Sequence, residues 1–457
     1  MPFFLAGVTM KTKITPRSST MARKCFGLLL AVTISFSMGA ASLRAGEADL
    51  AKELADLNRL TGTESMLGVL KALTANPKHA KTLLAFAQPA AKKKELSYNA
   101  ALVLGLTAAD LKEFKTAETF LRVCMEKAAK LQSLEKLSQS YGLVTDLYFE
   151  QKMYADGARV CKELLELNTD DGKDRKVVAT IADRTGEVDF SEPRDRFDTA
   201  ELLRPVIFET YVKATAKQGK YDQAIKLVDN LLKKKDDWID RHLKGWVLRE
   251  AGRYEEAANT FEDVIKQVGE DERRSPQVKD RYIIQFRYEV SNIYVDLKKI
   301  DRATEHLEFL LKKRPDNPIF YNDLGYIWAD HGMKLEDAEK LIRKAIDLDR
   351  ERRKKDPDFN PKTDHDSGAY LDSLGWVLFK QKKNKEAKEW LIKALEDKSA
   401  QHLEIFDHLA DVHMALGERA LAIQAWQTGL KHVTESRRDV ERKAAVEKKL
   451  DKAKSSK

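Results

Sequence analysis

Tyr321–Tyr326 reads YNDLGY, and two later segments repeat its pattern: LDSLGW at Leu371–Trp376 and FDHLAD at Phe406–Asp411. Apolar residues in these segments are spaced three and four positions apart, which is the period of an amphipathic helix. A small residue follows each phrase, and after it come a bulky residue and a second small one. These are Ala338, Ile342 and Ala345, then Ala387, Leu391 and Ala394, then Ala422, Trp426 and Gly429. Each phrase therefore predicts the first helix of a helical hairpin whose two helices cross closely.

The repeated pattern resembles the tetratricopeptide repeat, whose signature combines Trp or Tyr, a Leu-Gly pair and Tyr with later Ala and Phe residues. The Gly-like positions of the copies are Gly105, Thr145, Val212, Gly245, Ser291, Gly325, Gly375 and Ala410. Three of their separations lie within one residue of the family period of about 34 residues. The resemblance implies an all-α fold, a right-handed superhelical solenoid of antiparallel helix pairs. It also implies a binding surface and no reaction centre.

Small residues at two positions of the repeat predict where paired helices touch, because a larger side chain would hold the backbones apart. On the first helices these are Gly105, Gly245, Gly325 and Gly375, and on the second helices Ala224, Ala257, Ala303, Ala338, Ala387 and Ala422. Other glycines fall between the paired helices, where a left-handed residue can end the first one. They are Gly219, Gly252, Gly332 and Gly417.

The pattern divides the chain into segments of different character. We expect a signal peptide at 1–45, N-terminal helices forming a degenerate or capping repeat at 46–97, and degenerate repeats at 98–168. An irregular insertion or worn repeat is expected at 169–198. The main array is expected at 199–433 with insertions at 268–279 and 349–367, and a charged C-terminal helix or tail at 434–457.

The first 45 residues have the composition of an export signal. They hold six basic and no acidic residues, and Arg23-Lys24 precede the apolar run Phe26–Ala41. A basic start, a short apolar run and small residues near a cleavage point describe a secretory signal peptide. Cleavage near Ala41 or after Ala45 fits, and Met1, Met10 and Met21 are alternative starts; an uncleaved anchor is the other reading. We expect export to the periplasm or cell envelope of a bacterium, with no transmembrane span after cleavage.

The charge of the chain lies mostly at its ends. Its formal net charge is +8, of which the first 45 residues contribute six. Nucleic-acid binding requires a basic stripe, and the nearly neutral repeat region does not provide one. We therefore expect no nucleic acid partner.

No motif in the sequence indicates catalysis, a cofactor or a metal. The chain has no Gly-rich phosphate loop, no His-Glu-x-x-His and no Cys-x-x-Cys. Oxygens of Asp364-His365-Asp366, with Asp356 and Asp358, could hold a hard cation, but their composition favours a solvated acidic loop. Cys124 and Cys161 fall at buried positions of neighbouring second helices; either a bridge or two free buried thiols would fit.

In the resembled family, the first helices line the concave face, and the residues flanking the Leu-Gly pair contact the ligand. The resemblance implies the following contacts here: Trp246, Tyr288, Asn292, Asp296, Asn322, Tyr326, Asp330, Asp372, Trp376, Phe379, Asp407, His408 and Asp411. Members that clamp a carboxylate place Lys and Arg at such sites, whereas this chain has Asp, Asn and aromatic residues. An acidic, aromatic groove suits Lys or Arg side chains, through ion pairs and cation–π contacts of ~0.5–2 kcal/mol. Alternatively, the aromatic residues pack between repeats and the aspartates are merely solvated.

These features favour a non-catalytic scaffold or adaptor of the cell envelope that binds a peptide segment, with Lys- or Arg-containing segments as the candidates. The alternative function is a cell-wall or glycan-binding repeat protein that assists an envelope enzyme. The sequence leaves the identity of the partner and the oligomeric state open.

Overall fold

The computed structural model describes residues 46–131, 133–167, 199–233, 236–357, 359–361 and 364–455. These residues form 20 α-helices and two short 3₁₀ turns, and no strand is found among them. The expected signal peptide at 1–45 and the insertion at 169–198 lie outside the described residues. The described chain divides into two compact units, one ending at Thr260 and one beginning at Phe261.

The first unit contains the earlier helices. They are α1 (Glu47–Asn58), α2 (Thr63–Ala75), α3 (Pro77–Lys92), α4 (Tyr98–Asp110), α5 (Phe114–Lys130), α6 (Leu134–Phe149), α7 (Tyr154–Leu167), α8 (Thr199–Lys217), α9 (Tyr221–Leu232), α10 (Trp238–Glu250) and the start of α11 (Tyr254–Glu270). Segment 46–97 thus forms three helices, and segment 98–168 forms the two pairs α4–α5 and α6–α7. Phe120, Tyr148 and Leu104 are among the largest side chains that its core buries completely.

The second unit contains four further helix pairs and a last single helix. They are α12 (Pro276–Asp296) with α13 (Ile300–Lys313), α14 (Pro318–Asp330) with α15 (Leu335–Lys354), α16 (Gly368–Lys380) with α17 (Asn384–Glu396), α18 (Leu403–Ala415) with α19 (Arg419–Gly429), and α20 (Arg437–Ser455). Each helix packs on its neighbours in the chain. The all-α array of paired helices predicted from the sequence is confirmed.

Both insertions predicted in the array contain less loop than their sequences suggest. Within 268–279, α11 continues to Glu270, and Ser275 caps α12 by accepting from Val278 N. Within 349–367, α15 continues to Lys354 because buried Asp349 pairs with Arg352 and Arg353 of the following turn. These charged helix extensions carry few apolar residues, so the sequence has no period that marks them as helical.

The small residues lie where paired helices approach most closely. A Cβ atom on Gly325 would lie 2.8 Å from Ala338 O, and one on Gly375 would lie 2.6 Å from Leu391 Cγ. A Cβ on Gly105 would lie 2.9 Å from Leu121 Cγ. Gly245 and the six alanines are buried as well: Ala224, Ala257, Ala303, Ala338, Ala387 and Ala422. At Gly105, Gly325 and Gly375 the paired helices approach each other too closely for a side chain.

Each of eight hairpins contains a left-handed residue. In four it is a glycine between the paired helices: Gly219, Gly252, Gly332 and Gly417. In the other four it is a lysine: Lys112, Lys152, Lys298 and Lys382. The hairpin of Gly332 also has Lys334 at positive φ. Positive φ costs an L-residue about 1–2 kcal/mol, so five of the eight hairpins carry strain that glycine would avoid.

Candidate functional site

Twelve of the thirteen residues that the sequence singled out for binding lie in the second unit, on its first helices. We call them, with Glu404, the first-helix face: Tyr288, Asn292 and Asp296 on α12, Asn322, Tyr326 and Asp330 on α14, Asp372, Trp376 and Phe379 on α16, and Glu404, Asp407, His408 and Asp411 on α18. Hydrogen bonds join these first helices to one another, α12 to α14, α14 to α16 and α18, and α16 to α18. Polar residues of four repeats therefore come together.

Trp246 is the exception, because it lies on α10 in the first unit. Lys213 and Lys217 of α8 each place Nζ 5.5 Å from the centre of its ring. Lys217 also pairs with Glu250. The ring of Trp246 thus already has cation–π partners from its own unit.

The centre of the first-helix face is a buried aromatic stack. The rings of Trp376 and His408 lie 4.0 Å apart at 15°, and the ring of Phe379 stacks on that of Trp376 at 5.2 Å. His408 Nδ1 lies 2.8 Å from Asp372 Oδ1, and both side chains are 1% exposed. The second carboxylate oxygen, Asp372 Oδ2, is buried and has no hydrogen-bond partner among the described residues. These aromatic residues pack between helices, which is the alternative that the sequence left open.

Polar contacts tie the neighbouring side chains to this stack. Trp376 Nε1 donates to Asp330 Oδ1 at 3.0 Å, and Lys380 Nζ lies 4.8 Å above the Trp376 ring. Tyr326 Oη donates to Glu404 Oε1 at 2.7 Å, which links α14 to α18. Asp330 and Glu404 are therefore acceptors for aromatic N–H and O–H groups; Asp330 remains exposed, whereas Glu404 is buried.

A second buried cluster lies between α12 and α14. Tyr288 Oη donates to Asp323 Oδ2 at 2.8 Å, and Asn322 Nδ2 donates to Asp323 Oδ1 at 3.3 Å. Asn292 Nδ2 donates to Tyr288 O at 2.9 Å. Burial raises the pKa of Asp323 to about 6, although both hydrogen bonds oppose that rise. Asp323 was not singled out in the sequence, where it reads as an ordinary member of the YNDLGY phrase.

The remaining carboxylates face cations from the chain's own C-terminal helix, α20. Lys449 Nζ donates to Asp407 Oδ1 at 2.8 Å and to Asp411 Oδ2 at 2.6 Å. Arg442 Nη2 donates to Glu404 Oε1 at 2.6 Å, and its Nη1 lies 3.3 Å from Asp407 Oδ2.

At the other end of the helix, Arg438 Nη2 donates to Asp296 Oδ1 on α12 at 2.6 Å. Three cations of one helix thus reach four acidic residues of the first-helix face.

The pKa shifts in this group follow from burial and from these ion pairs. Burial would raise the pKa of Asp407, but Lys449 outweighs it and holds that pKa below its ordinary value. The pKa of Asp411 is raised, first by burial and then by the Asp407 charge beside it. Burial would lower the pKa of Lys449, yet Asp407 and Asp411 raise it. Lys449 therefore stays charged, and it stabilises the ionised form of Asp407.

The apolar side of α20 is also packed. Val446, Leu450 and Ala453 are buried against Leu403, Ala422 and Trp426 of the last repeat. The sequence predicted a charged helix or tail at 434–457 but not what it would contact. The signal was present: Arg438, Arg442 and Lys449 recur at helical spacing, as do the three apolar residues.

The acidic loop after α15 is held by arginines. Asp366 accepts from Arg350 Nε at 2.7 Å, and Asp364 accepts from Arg353 Nε at 2.7 Å. The Arg350 hydrogen bond lowers the pKa of Asp366 to about 2. Over the described ranges, no group of His, Cys, Asp and Glu is arranged to hold a metal ion. Asp358 lies outside the described residues.

Cys124 and Cys161 are free thiols, and both are buried. Burial raises the pKa of the Cys161 thiol to about 12. Among the helices of the described residues, none combines the length and apolarity that a membrane span needs.

Comparison with known families finds tetratricopeptide repeats in this chain. A tetratricopeptide repeat model matches residues 212–272 and 291–353, and a second model of the same description matches residues 368–398. Together they cover about a third of the chain and include most of the first-helix face. Repeats of this type generally form scaffolds for protein–protein interaction.

One curated relative is a TPR repeat-containing protein of Pseudomonas aeruginosa, 27% identical over 182 residues. The match covers 39% of this chain and 26% of the relative, so the chain spans about a quarter of that protein's length. Among solved structures, MamA of Desulfovibrio magneticus is 20% identical over 43% of this chain and 96% of its own, with a TM-score of 0.32. A TPR protein of Thermus thermophilus is 18% identical over 46% and 98%, with a TM-score of 0.34. Likeness at this level carries no information about ligand or partner.

Proposed function

We propose that this protein is a non-catalytic scaffold or adaptor that holds a segment of a partner protein on its first-helix face. The repeats form the binding surface, and its acidic side chains give that surface a preference for basic ligand groups. Asp296, Asp407 and Asp411 each accept from an Arg or Lys side chain of α20. This is the observation that carries the proposal, because a face that pairs with basic groups of its own chain has the right chemistry for basic groups of a partner.

We further propose that the protein works in the cell envelope of a bacterium. The basic start and the apolar run Phe26–Ala41 of the sequence support this proposal. Fractionation of the native host, with an antibody against the repeat region, tests it; recovery of the protein only with cytoplasmic markers would contradict it.

The glycan-binding alternative receives less support from the side chains. Sugar rings stack on exposed aromatic faces, whereas the face of Trp376 is covered by His408 and Phe379. Tyr326 is also buried. A peptide is therefore the better occupant.

Binding of a displayed peptide library tests the preference for basic residues. The library is offered to the purified wild-type chain and to Arg442→Glu/Lys449→Glu, which removes two of the chain's own cations from the face. We expect Lys and Arg to be enriched among bound peptides, and the enrichment to weaken at high salt because ion pairs are screened.

Charge reversal on the face should abolish the enrichment. The variant is Asp296→Lys/Asp411→Lys, and the matched control is Glu336→Lys/Glu351→Lys, which makes the same charge change at exposed positions of α15. Equal recovery of basic and acidic peptides by both the wild type and Arg442→Glu/Lys449→Glu would show the proposed preference to be wrong.

A further inference from the structure

We infer that α20 is a displaceable internal ligand of the first-helix face, and that the partner that replaces it is a basic amphipathic helix. This inference rests on the proposed function and adds to it the form of the partner and a means of regulation. A chain whose face is already filled by its own helix binds weakly until a partner competes successfully.

The contacts of α20 are those expected of a bound peptide. Its cations reach Asp296 on α12 and Glu404, Asp407 and Asp411 on α18, so the helix engages residues of repeats far apart in sequence. Like the other helices, α20 packs on its neighbours in the chain, α18 and α19. The ion pair between Arg438 and Asp296 extends its contacts to a much earlier helix of the array.

The helix is also built to be stable in itself. Asp439 N donates to Ser436 Oγ at 3.1 Å, and Thr434 N donates to Asp439 Oδ2 at 2.8 Å, which caps its start. A capped helix can leave the face without losing all of its backbone hydrogen bonds.

The attachment of α20 is weak for its length. Only Val446, Leu450 and Ala453 of its 19 residues are buried, and Val440 is 57% exposed. The side chain of Arg438 is 37% exposed, and an ion pair open to solvent contributes about 0–1 kcal/mol. The attachment therefore depends on Arg442 and Lys449, which pair with buried carboxylates. It also depends on the tether, since a short linker gives an effective concentration of the order of millimolar.

One buried carboxylate oxygen of the face is not paired by α20, so a ligand that pairs it would bind more tightly. Asp372 Oδ2 is buried without a hydrogen-bond partner, although Arg442 lies close enough for the Asp372 charge to raise the Arg442 pKa. A partner that supplies a donor there would satisfy a group that α20 leaves unpaired, and unpaired buried oxygens are costly.

The spacing of basic and apolar residues along α20 predicts their spacing in the partner helix. Counting from Arg438 as the first position, basic residues stand four and eleven positions later, at Arg442 and Lys449. Apolar residues stand at Val446, Leu450 and Ala453. A partner helix should therefore carry a basic stripe beside a short apolar stripe, and an acidic or neutral helix should not bind.

A synthetic peptide of residues 436–455 tests the inference on the full-length protein. Its affinity is compared for the wild type, for Arg442→Glu/Lys449→Glu, and for Lys443→Glu/Lys448→Glu. The last variant makes the same charge change at exposed positions of α20. We expect the first variant to bind the peptide at least tenfold more tightly than the wild type, and the control to bind like the wild type.

The outcomes separate the inference from the proposed function. Equal peptide affinity of the wild type and Arg442→Glu/Lys449→Glu leaves the proposed function standing and overturns displacement. Binding to neither protein overturns both. Hydrogen exchange confirms that the first variant frees α20 while α12 to α19 remain protected.

A second measurement needs no variant of the protein. The peptide is made with Val440→Ser, so that its fragments differ in mass from those of α20, and is titrated into the wild type. Displacement predicts faster hydrogen exchange at residues 437–455 as the peptide saturates. Unchanged exchange in that segment at saturation would overturn the inference even if Arg442→Glu/Lys449→Glu failed to fold.

Discussion

Lys449 on α20 and Asp407 on α18 form an ion pair of unequal burial. Nζ lies 2.8 Å from Oδ1; the Asp407 side chain is 5% exposed and the Lys449 side chain 37% exposed. Asp407 also accepts from Trp426 Nε1 at 2.8 Å. Loss of Lys449 would leave a buried carboxylate that keeps only its longer contact with Arg442, at 3.3 Å. Loss of the Asp407 charge would leave an ammonium that still pairs with Asp411 and that water can solvate.

Removal of Lys449 and removal of the Asp407 charge should therefore lower the free energy of unfolding by different amounts. We expect Lys449→Met to lower the free energy of unfolding by about 1.5–3 kcal/mol, and Asp407→Asn by less than half of that, because the amide still accepts from Trp426. Urea unfolding of the single variants and of the double variant measures both costs and their coupling. A larger loss for Asp407→Asn would contradict the asymmetry.

Helix contact at Gly325 gives a second prediction. Its added Cβ would meet Ala338 O at 2.8 Å, a backbone atom that cannot rotate away. We expect Gly325→Ala to destabilise the protein by about 1–3 kcal/mol, as overpacking does. The matched control is Gly68→Ala in α2, where no atom lies within 4 Å. There alanine should stabilise the helix by roughly 0.5–1 kcal/mol. A midpoint temperature of thermal unfolding that shifts in the same direction for both variants would show that the close contact is unimportant.

The helix pairs could be predicted from the sequence because their signals are local. The period of Leu324, Leu374 and Leu409 and the small residues opposite them depend on neighbours three and four positions away. The position of α20 could not, because it depends on contacts such as that between Arg438 and Asp296, which are 142 positions apart.

The candidate site was therefore only partly predictable. The acidic character of the face, with basic groups as its expected partners, followed from residue types, and packing of the aromatic residues between repeats was the stated alternative. The stack of Trp376 on His408 was not predicted. Asp323 was missed because nothing in YNDLGY distinguishes a buried aspartate from an exposed one. The lysines at positive φ were missed for a similar reason, since only glycine marks such a turn in sequence.

Those lysines give a third prediction. Lys382 and Gly417 occupy the same place in successive hairpins, with φ of 68° and 77°. We expect Lys382→Gly to stabilise the protein by roughly 0.5–1 kcal/mol, because relief of the left-handed strain exceeds the entropy that glycine loses on folding. The reciprocal variant Gly417→Lys should destabilise it by about 1 kcal/mol. The changes in unfolding free energy should have opposite signs; equal signs would mean that φ does not control stability at these turns.

The buried pair of Tyr288 and Asp323 gives the last prediction, which concerns pH. Burial raises the pKa of Asp323 to about 6 in the folded protein, whereas an aspartate in an unfolded chain titrates near ~3.9. The folded state therefore binds the proton more tightly, so this group favours folding most when it is protonated. Its contribution is present below about pH 4 and is lost as the pH rises through about 6, by roughly 1–3 kcal/mol.

Asp323→Asn removes this titration and keeps an acceptor for Tyr288 Oη at the same position. We expect the variant to gain stability over the wild type as the pH rises from 4 to 7, and the difference between the two to level off above pH 7. Urea unfolding of both proteins at each pH isolates this group, because the other titrating groups are shared. A difference that stays constant from pH 4 to 7 would mean that Asp323 titrates at an ordinary pKa, and that its hydrogen bonds to Tyr288 and Asn322 fully offset its burial.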